Sequence, residues 1–253
     1  MLRLLCCCFV SSDSLGERQP LLQPGSPSEV TEAESARRAP SAHNGKPDAP
    51  IVKRSGKLVM RRVNVPELDH RFTDMAEIFN EQQAHYEAMV GHIRKLKQSC
   101  DITDVDNLAV AECIGALRKE HETTYRVSLK MKGYDFSLIL DPVGPEGETE
   151  EEPLPLALQR AQNEFRGISD SAKATVSKGA KLLQLMDWLL RSNSQMVEQV
   201  KGAAETYQEQ GRLNDNLEEN IKEVRRAKEL SQRYRKQADE VYTEAVQIAG
   251  IDV

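Results

Sequence analysis

Aromatic residues are scarce in this chain: they make up 5% of 253 residues, and tryptophan occurs once. Large compact cores draw much of their buried area from aromatic rings, whereas extended helical assemblies manage with Leu, Met, Val and Ala. A mainly α protein is therefore expected. Long apolar runs are missing too, and none approaches the roughly 18 to 20 residues that a membrane-spanning helix needs. There is no Gly-rich phosphate loop, no Gly-x-Ser-x-Gly elbow, and no CxxC or HxxxH pair to begin a zinc site. The histidines, His43, His70, His85, His92 and His121, offer no catalytic arrangement. His85 and His92 share a helix face about two turns apart, too far to grip one ion, and no nucleophile neighbours the others. Those on helices are expected to be exposed. The chain thus reads as a non-enzyme with no cofactor, no metal and no small-molecule substrate. A net charge of -6 without a long basic stripe argues against nucleic acid.

Cysteines are few and unevenly placed: Cys6, Cys7 and Cys8 together, Cys100 and Cys113 apart. An odd number without paired spacing makes a poor disulfide framework. The interior two read as small buried hydrophobes in a reducing compartment. The triplet lies in MLRLLCCCFV, where a metal would lack its second pair of ligands. A secretory leader is a further reading, with Arg3 before the apolar residues 4–10 and Ser11 and Ser12 after them. That run sits at the short end of the roughly 7 to 15 residues usual for a leader, and it holds three thiols. S-acylation fits better. Flanking Leu2, Leu4, Leu5, Phe9 and Val10 let this segment touch a bilayer weakly and so present the thiols to membrane-bound acyltransferases. Each buried acyl methylene then contributes about 0.8 kcal/mol, so two or three chains hold far more firmly than one. Position 2 is Leu, which rules out N-myristoylation there.

Shortly downstream, GERQPLLQP contains Glu17-Arg18-Gln19-Pro20-Leu21-Leu22, which looks like the acidic dileucine signal read by clathrin adaptor complexes. An extended peptide can offer Leu21 and Leu22 to an apolar pocket while Glu17 meets a basic patch, and Pro20 favours the extended backbone. The pairing of a cysteine anchor with this address resembles the amino termini of acylated endolysosomal adaptor and scaffold proteins, such as the membrane-anchoring subunit of the Ragulator complex. The resemblance covers residues 1–25 and lacks that subunit's Gly at position 2. It implies a destination on the cytosolic face of lysosomes or late endosomes, with Golgi and plasma membrane as further stations.

Residues 26–50 are rich in Pro, Ser, Glu and Ala without apolar period and read as a disordered spacer. In the following IVKRSGKLVMRRV, the cations Lys53, Arg54, Lys57, Arg61 and Arg62 alternate with apolar residues. Two readings stand side by side: a contact with an anionic lipid surface, worth about 1 kcal/mol per basic residue, or a lead-in strand docked on the folded body.

Pro66 and Glu67 should open an amphipathic helix of about 35 residues, with a seam through Leu68, Phe72, Met75, Phe79, Gln82, Tyr86, Met89, Ile93, Leu96 and Cys100. After a break at Asp101-Ile102-Thr103-Asp104, a second helix is expected from about residue 105 to 122, burying Leu108, Cys113, Ala116 and Leu117. Residues 126–140 alternate on both sides of Lys132-Gly133, the pattern of a small hairpin, with continued helix as the alternative. The acidic, Pro-broken residues 141–155 read as a linker.

Residues 156–248 contain no proline and carry heptads. Phe165, Ile168, Ala172, Thr175, Gly179, Leu182, Met186, Leu189, Asn193, Met196 and Val200 lead on through Ala203, Tyr207, Gln210, Asn214, Leu217, Ile221 and Val224. The phase then slips to Ala227, Leu230, Tyr234, Ala238, Val241, Ala245 and Ile248. Gly202 and Gly211 mark candidate break points. Around Leu182, Met186, Trp188 and Leu189 the apolar surface widens, as in a bundle core or a partner-binding face.

The fold class expected is an elongated helical bundle or coiled coil, mainly α, with one small hairpin and a disordered amino-terminal region. Its parts are an anchor with a sorting signal (1–25), a linker (26–50), a helical region with hairpin (51–140), an acidic linker (141–155) and a long helical region (156–248). The function expected is that of a peripheral membrane adaptor or scaffold in trafficking or organelle positioning, joining helical partners through heptad faces. Two other classes remain: a SNARE-like or SNARE-regulating fusion component, suggested by a heptad helix with a central Gln210 and a cysteine anchor, and a structural coiled coil that associates with itself.

Overall fold

A computed structural model describes residues 56–104, 107–144 and 154–250. Its elements are α1 (Pro66–Ser99), α2 (Ala111–Glu120), β1 (Tyr125–Lys132), β2 (Asp135–Pro142), α3 (Leu156–Arg191), α4 (Asn193–Ala203) and α5 (Tyr207–Ile248). The described chain is mainly helical with one antiparallel two-strand sheet. The cysteine triplet, the expected dileucine signal, the expected spacer, Lys53, Arg54 and most of the expected acidic linker lie outside the described residues.

Pro66 starts α1 where a missing N–H leaves no helical bond unmade, and Glu67 and Asp69 complement the positive end of the helix dipole. The seam along α1 is buried as its spacing requires, from Leu68 to Leu96, with Tyr86 and Cys100 half-buried. The helix closes in a Schellman arrangement: Ile102 N–H reaches the Lys97 carbonyl (3.0 Å) and Asp101 N–H the Gln98 carbonyl (3.4 Å). Asp101 takes the left-handed φ of 54° that this cap needs.

The second helix is shorter than the sequence suggests. Lys97, itself buried, turns its ammonium onto the carbonyls of Asp104 and Asn107 (2.7 Å each), which holds the connection in a loop. The Glu244 carboxylate, from the far end of α5, then accepts from Val110 and Ala111 N–H (2.9 Å each). Two unpaired donors at the start of α2 are met by a tertiary partner, so the helix begins at Ala111.

The hairpin pairs Val127 with Leu140, Leu129 with Leu138 and Met131 with Phe136. Gly133 sits at φ 62° in its two-residue loop, a conformation that glycine adopts freely. Such a hairpin is marginal alone; here Val127, Leu129, Phe136 and Leu138 are buried, and Tyr242 of α5 donates its hydroxyl to the Gly133 carbonyl (3.1 Å).

The heptads of residues 156–248 close on one another within a single chain. α1 and α5 both pack on α3. Ser192 alone interrupts the helix between α3 and α4, with backbone bonds of 3.0 Å continuing on either side of it, and a second, longer turn at residues 204–206 precedes α5. The break before α5 follows closely on Gly202, in the last turn of α4, whereas Gly211 lies inside α5. The second turn is set by capping: Thr206 Oγ1 accepts from Glu209 N–H (3.1 Å), and the Glu209 carboxylate returns to Glu205 N–H (3.1 Å). The first turn of α5 also departs from the heptad reading, since Tyr207 is exposed and Leu213 rather than Gln210 enters the core.

The interior divides into two apolar clusters. One joins Met89, Ile93 and Leu96 with α2, the hairpin, Phe165 and Val241. The other joins Phe72, Met75 and Phe79 with Leu182, Met186, Leu189, α4 and the first half of α5. Between them lies a polar layer. Gln82 Nε2 donates to the Thr175 carbonyl (3.1 Å) and more weakly to that of Ser231 (3.5 Å), while Gln82 Oε1, Ser231 Oγ and Arg235 Nε are buried without a protein partner. Gly179 admits this layer, because a Cβ there would stand 2.3 Å from Arg235 Cδ and 2.5 Å from Gln82 Nε2.

Candidate functional site

The segment leading into α1 is the place where everything upstream joins the body, and its contacts are specific. Residues 56–63 lie extended against α1 and α5 as a strap. Asn80 of α1 accepts from Leu58 N–H (2.7 Å) and donates to the Leu58 carbonyl (3.0 Å). Asn220 of α5 does the same for Arg61, at 2.8 Å both ways. Each side-chain amide thus serves as a neighbouring strand would, meeting a donor and an acceptor of one residue. Asn216 adds a bond to the Arg62 carbonyl (2.8 Å), and Asp69 accepts from Val63 N–H (2.7 Å). Leu58 and Val63 plug into the second apolar cluster. Asn64, at φ 58°, then turns the chain into α1.

The docked strap sorts its side chains by face. Leu58 and Val63 point in, while Lys57, Arg61 and Arg62 are exposed and Val59 is 79% exposed. The two sequence readings of this segment are therefore compatible. The backbone and alternate apolar residues dock on the body, and the cations face away from it. The outward surface is not uniformly basic, because Glu219, Glu223 and Arg226 of α5 line a shallow pocket beside Lys57 and Arg61, with Arg226 paired to Glu223 (2.6 Å).

Of the residues considered as a partner-binding face, Leu182, Met186 and Leu189 are buried in the second cluster, among residues of α1 and α5. Trp188 sits at its rim, half-buried, with the Arg71 guanidinium 4.0 Å from the ring centroid. The wide apolar surface there serves the chain's own bundle. Gln210 is half-buried in the first turn of α5.

The histidines are less uniform than the sequence suggests. His70 is exposed, but His92 bridges helices, its Nδ1 2.6 Å from the Glu164 carboxylate, over the space left by Gly167. His121 is partly buried after α2. Ion pairs on the outer surface tie helix to helix: Glu81 with Lys178 from α1 to α3, and Asp187 with Lys228 (2.8 Å) from α3 to α5. The lysine in each pair, through its hydrogen bond first, holds the carboxyl below its ordinary pKa. Among the described residues no group of three or more His, Cys, Asp or Glu is arranged to hold a metal, and no helix is long and apolar enough to cross a membrane.

Nothing in the sequence marks Asn80, Asn216 and Asn220 as contacts of the strap. Each sits on a helix as a polar residue, and only the fold brings it to the strap. Set against family models, curated proteins and solved structures, the chain gives no match.

Proposed function

We propose that this protein is a peripheral membrane adaptor or scaffold, held on the cytosolic face of late endosomes and lysosomes by S-acylation of Cys6, Cys7 and Cys8 and directed there by Glu17, Leu21 and Leu22. The observation that carries the reading is the cysteine triplet in an apolar decapeptide, followed at once by an acidic dileucine sequence. The body supports it through the strap: Lys57, Arg61 and Arg62 stand outward at the point where the tether joins the bundle. Three such cations at an anionic bilayer would add about 1 kcal/mol each, enough to orient the body once acyl chains supply the hold. The heptad faces hold the bundle itself together, which leaves its outward surface to partners.

The test is by location. Replacing Leu21 and Leu22 with Ala should keep the protein in the membrane fraction while moving it away from lysosomes, as clathrin adaptors no longer engage it. An unchanged distribution would remove the sorting role. A self-associating structural coiled coil, the rival, predicts that deleting residues 1–25 leaves the location as it was; the adaptor reading predicts a diffuse protein.

A further inference from the structure

The interior cysteines, expected as small buried hydrophobes, both join the first apolar cluster and meet there. Cys100 caps α1 and is half-buried, whereas Cys113 lies in the first turn of α2 and is fully buried. The fold brings them together: the Cys100 thiol donates to the Cys113 carbonyl at 3.8 Å. The loop between them is held at one end by the Lys97 ammonium on the Asp104 and Asn107 carbonyls. At the other it is held by Glu244 on the start of α2. Neither sulfur is committed to a disulfide, and no contact of the adaptor reading uses them.

We propose that Cys100 and Cys113 form a redox pair, in which a hydroperoxide oxidises the accessible Cys100 and the buried Cys113 resolves it to a reversible intrachain disulfide. In the first step the Cys100 thiolate attacks the terminal oxygen of the peroxide, the O–O bond breaks, and Cys100 becomes a sulfenic acid as hydroxide (from hydrogen peroxide) or an alkoxide (from an organic hydroperoxide) leaves. In the second, the Cys113 sulfur attacks the Cys100 sulfur, the S–O bond breaks, and water departs with the Cys113 proton. The peroxide is reduced by two electrons, and the thiol pair supplies them. A thiol reductant reverses the change by exchange.

The surroundings favour this division of labour. The Cys113 S–H, donated to the Cys100 sulfur, brings the Cys100 thiol down to about 7, with a smaller contribution from Ser99. The same bond, together with burial, raises Cys113 well above the ordinary thiol range. Glu120 and Asp101 act against the Cys100 thiolate, and Lys97 lies near Cys113. An accessible thiolate beside a protected second thiol is the arrangement that redox-sensing pairs share. Oxidation would link the end of α1 to the start of α2.

No Lys or Arg lies between Lys97 and Arg118, so trypsin releases both cysteines in one peptide, residues 98–118. The full chain, reduced and then treated with hydrogen peroxide, should yield this peptide lighter by two hydrogens, and dithiothreitol should restore its mass. Cys113→Ser keeps a donor to Cys100 but cannot resolve, so Cys100 should be trapped by dimedone as the sulfenic acid. Cys100→Ser should leave Cys113 a free thiol at the same dose. Alkylation of Cys100 should have its midpoint near pH 7 in the native chain; in Cys113→Ala it should be about tenfold slower at pH 7. The inference is overturned if the native peptide keeps both thiols, if it passes straight to sulfonic acid, or if Cys113→Ala alkylates like the native chain.

Discussion

Replacing Asn220 with Ala should loosen the strap without unfolding the bundle. Asn220 is 1% exposed and makes two bonds to Arg61, each 2.8 Å. A net contribution of about 1 kcal/mol per bond makes the loss about 2 kcal/mol, and at 1.4 kcal/mol per factor of ten the open strap becomes about 30-fold more populated. Leu58 and Val63 still hold it, at about 1.5 kcal/mol or more each, so the docked form stays dominant. The strap carries its own reporters, since trypsin cleaves after Lys57, Arg61 and Arg62, and a docked segment does not fit a protease cleft. While reclosing outpaces cleavage, nicking follows the open population. Brief trypsin digestion with mass detection should show cleavage at these three residues about 30-fold faster in Asn220→Ala. Asn216→Ala removes a single exposed bond and should change the rate about fivefold or less. The melting temperature should fall by about 4 to 8 °C for Asn220→Ala. Equal nicking of the native and Asn220→Ala chains would refute the docked strap.

Gly179 and Gly211 should respond oppositely to Ala. Gly211 has open space where a Cβ would stand and should gain about 0.5 to 1 kcal/mol from helix propensity; at Gly179 the collision with Arg235 and Gln82 should outweigh that gain by about 1 kcal/mol, both read by urea denaturation. Glu244→Ala strips the acceptors from the start of α2 and should cost about 1 to 2 kcal/mol, seen as faster amide exchange at Val110 and Ala111. Acid should weaken the bundle through Glu81 and Asp187: folded pKa values below the ordinary 4.5 and 3.8 mean that their contribution is present at neutral pH and lost as pH falls through the folded values. Thermal melts should be level from about pH 8 to 6, decline below about pH 4.5, and decline less in Glu81→Gln combined with Asp187→Asn.

Local periodicity carried the fold where one face meets one core. The α1 seam and the α3 stripe from Phe165 to Leu189 read directly, because a period of 3.6 places those residues on one side of a helix, and Gly133 between two alternating runs marked the hairpin. What escaped were contacts between residues far apart in the chain. Asn220 and Arg61 are 159 residues apart, and Glu244 fixes the start of α2 from 133 residues away. Nothing at Val110 announces a helix end. The turn before α5 was legible in principle, since Thr206-x-x-Glu209 is a capping signature, yet the heptad frame drawn through Tyr207 and Gln210 ran across it. Cys100 and Cys113 were visible only as two small residues until the α1 cap and the α2 start placed them together.

The central claim is chemical, and one measurement bears on it most directly: the tryptic peptide of residues 4–18 from membrane-bound protein, weighed before and after neutral hydroxylamine. Attachment by thioesters predicts a peptide heavier by one to three acyl chains that hydroxylamine returns to free thiols at Cys6, Cys7 and Cys8. Recovery of that peptide from membranes with all three thiols unmodified would contradict the account.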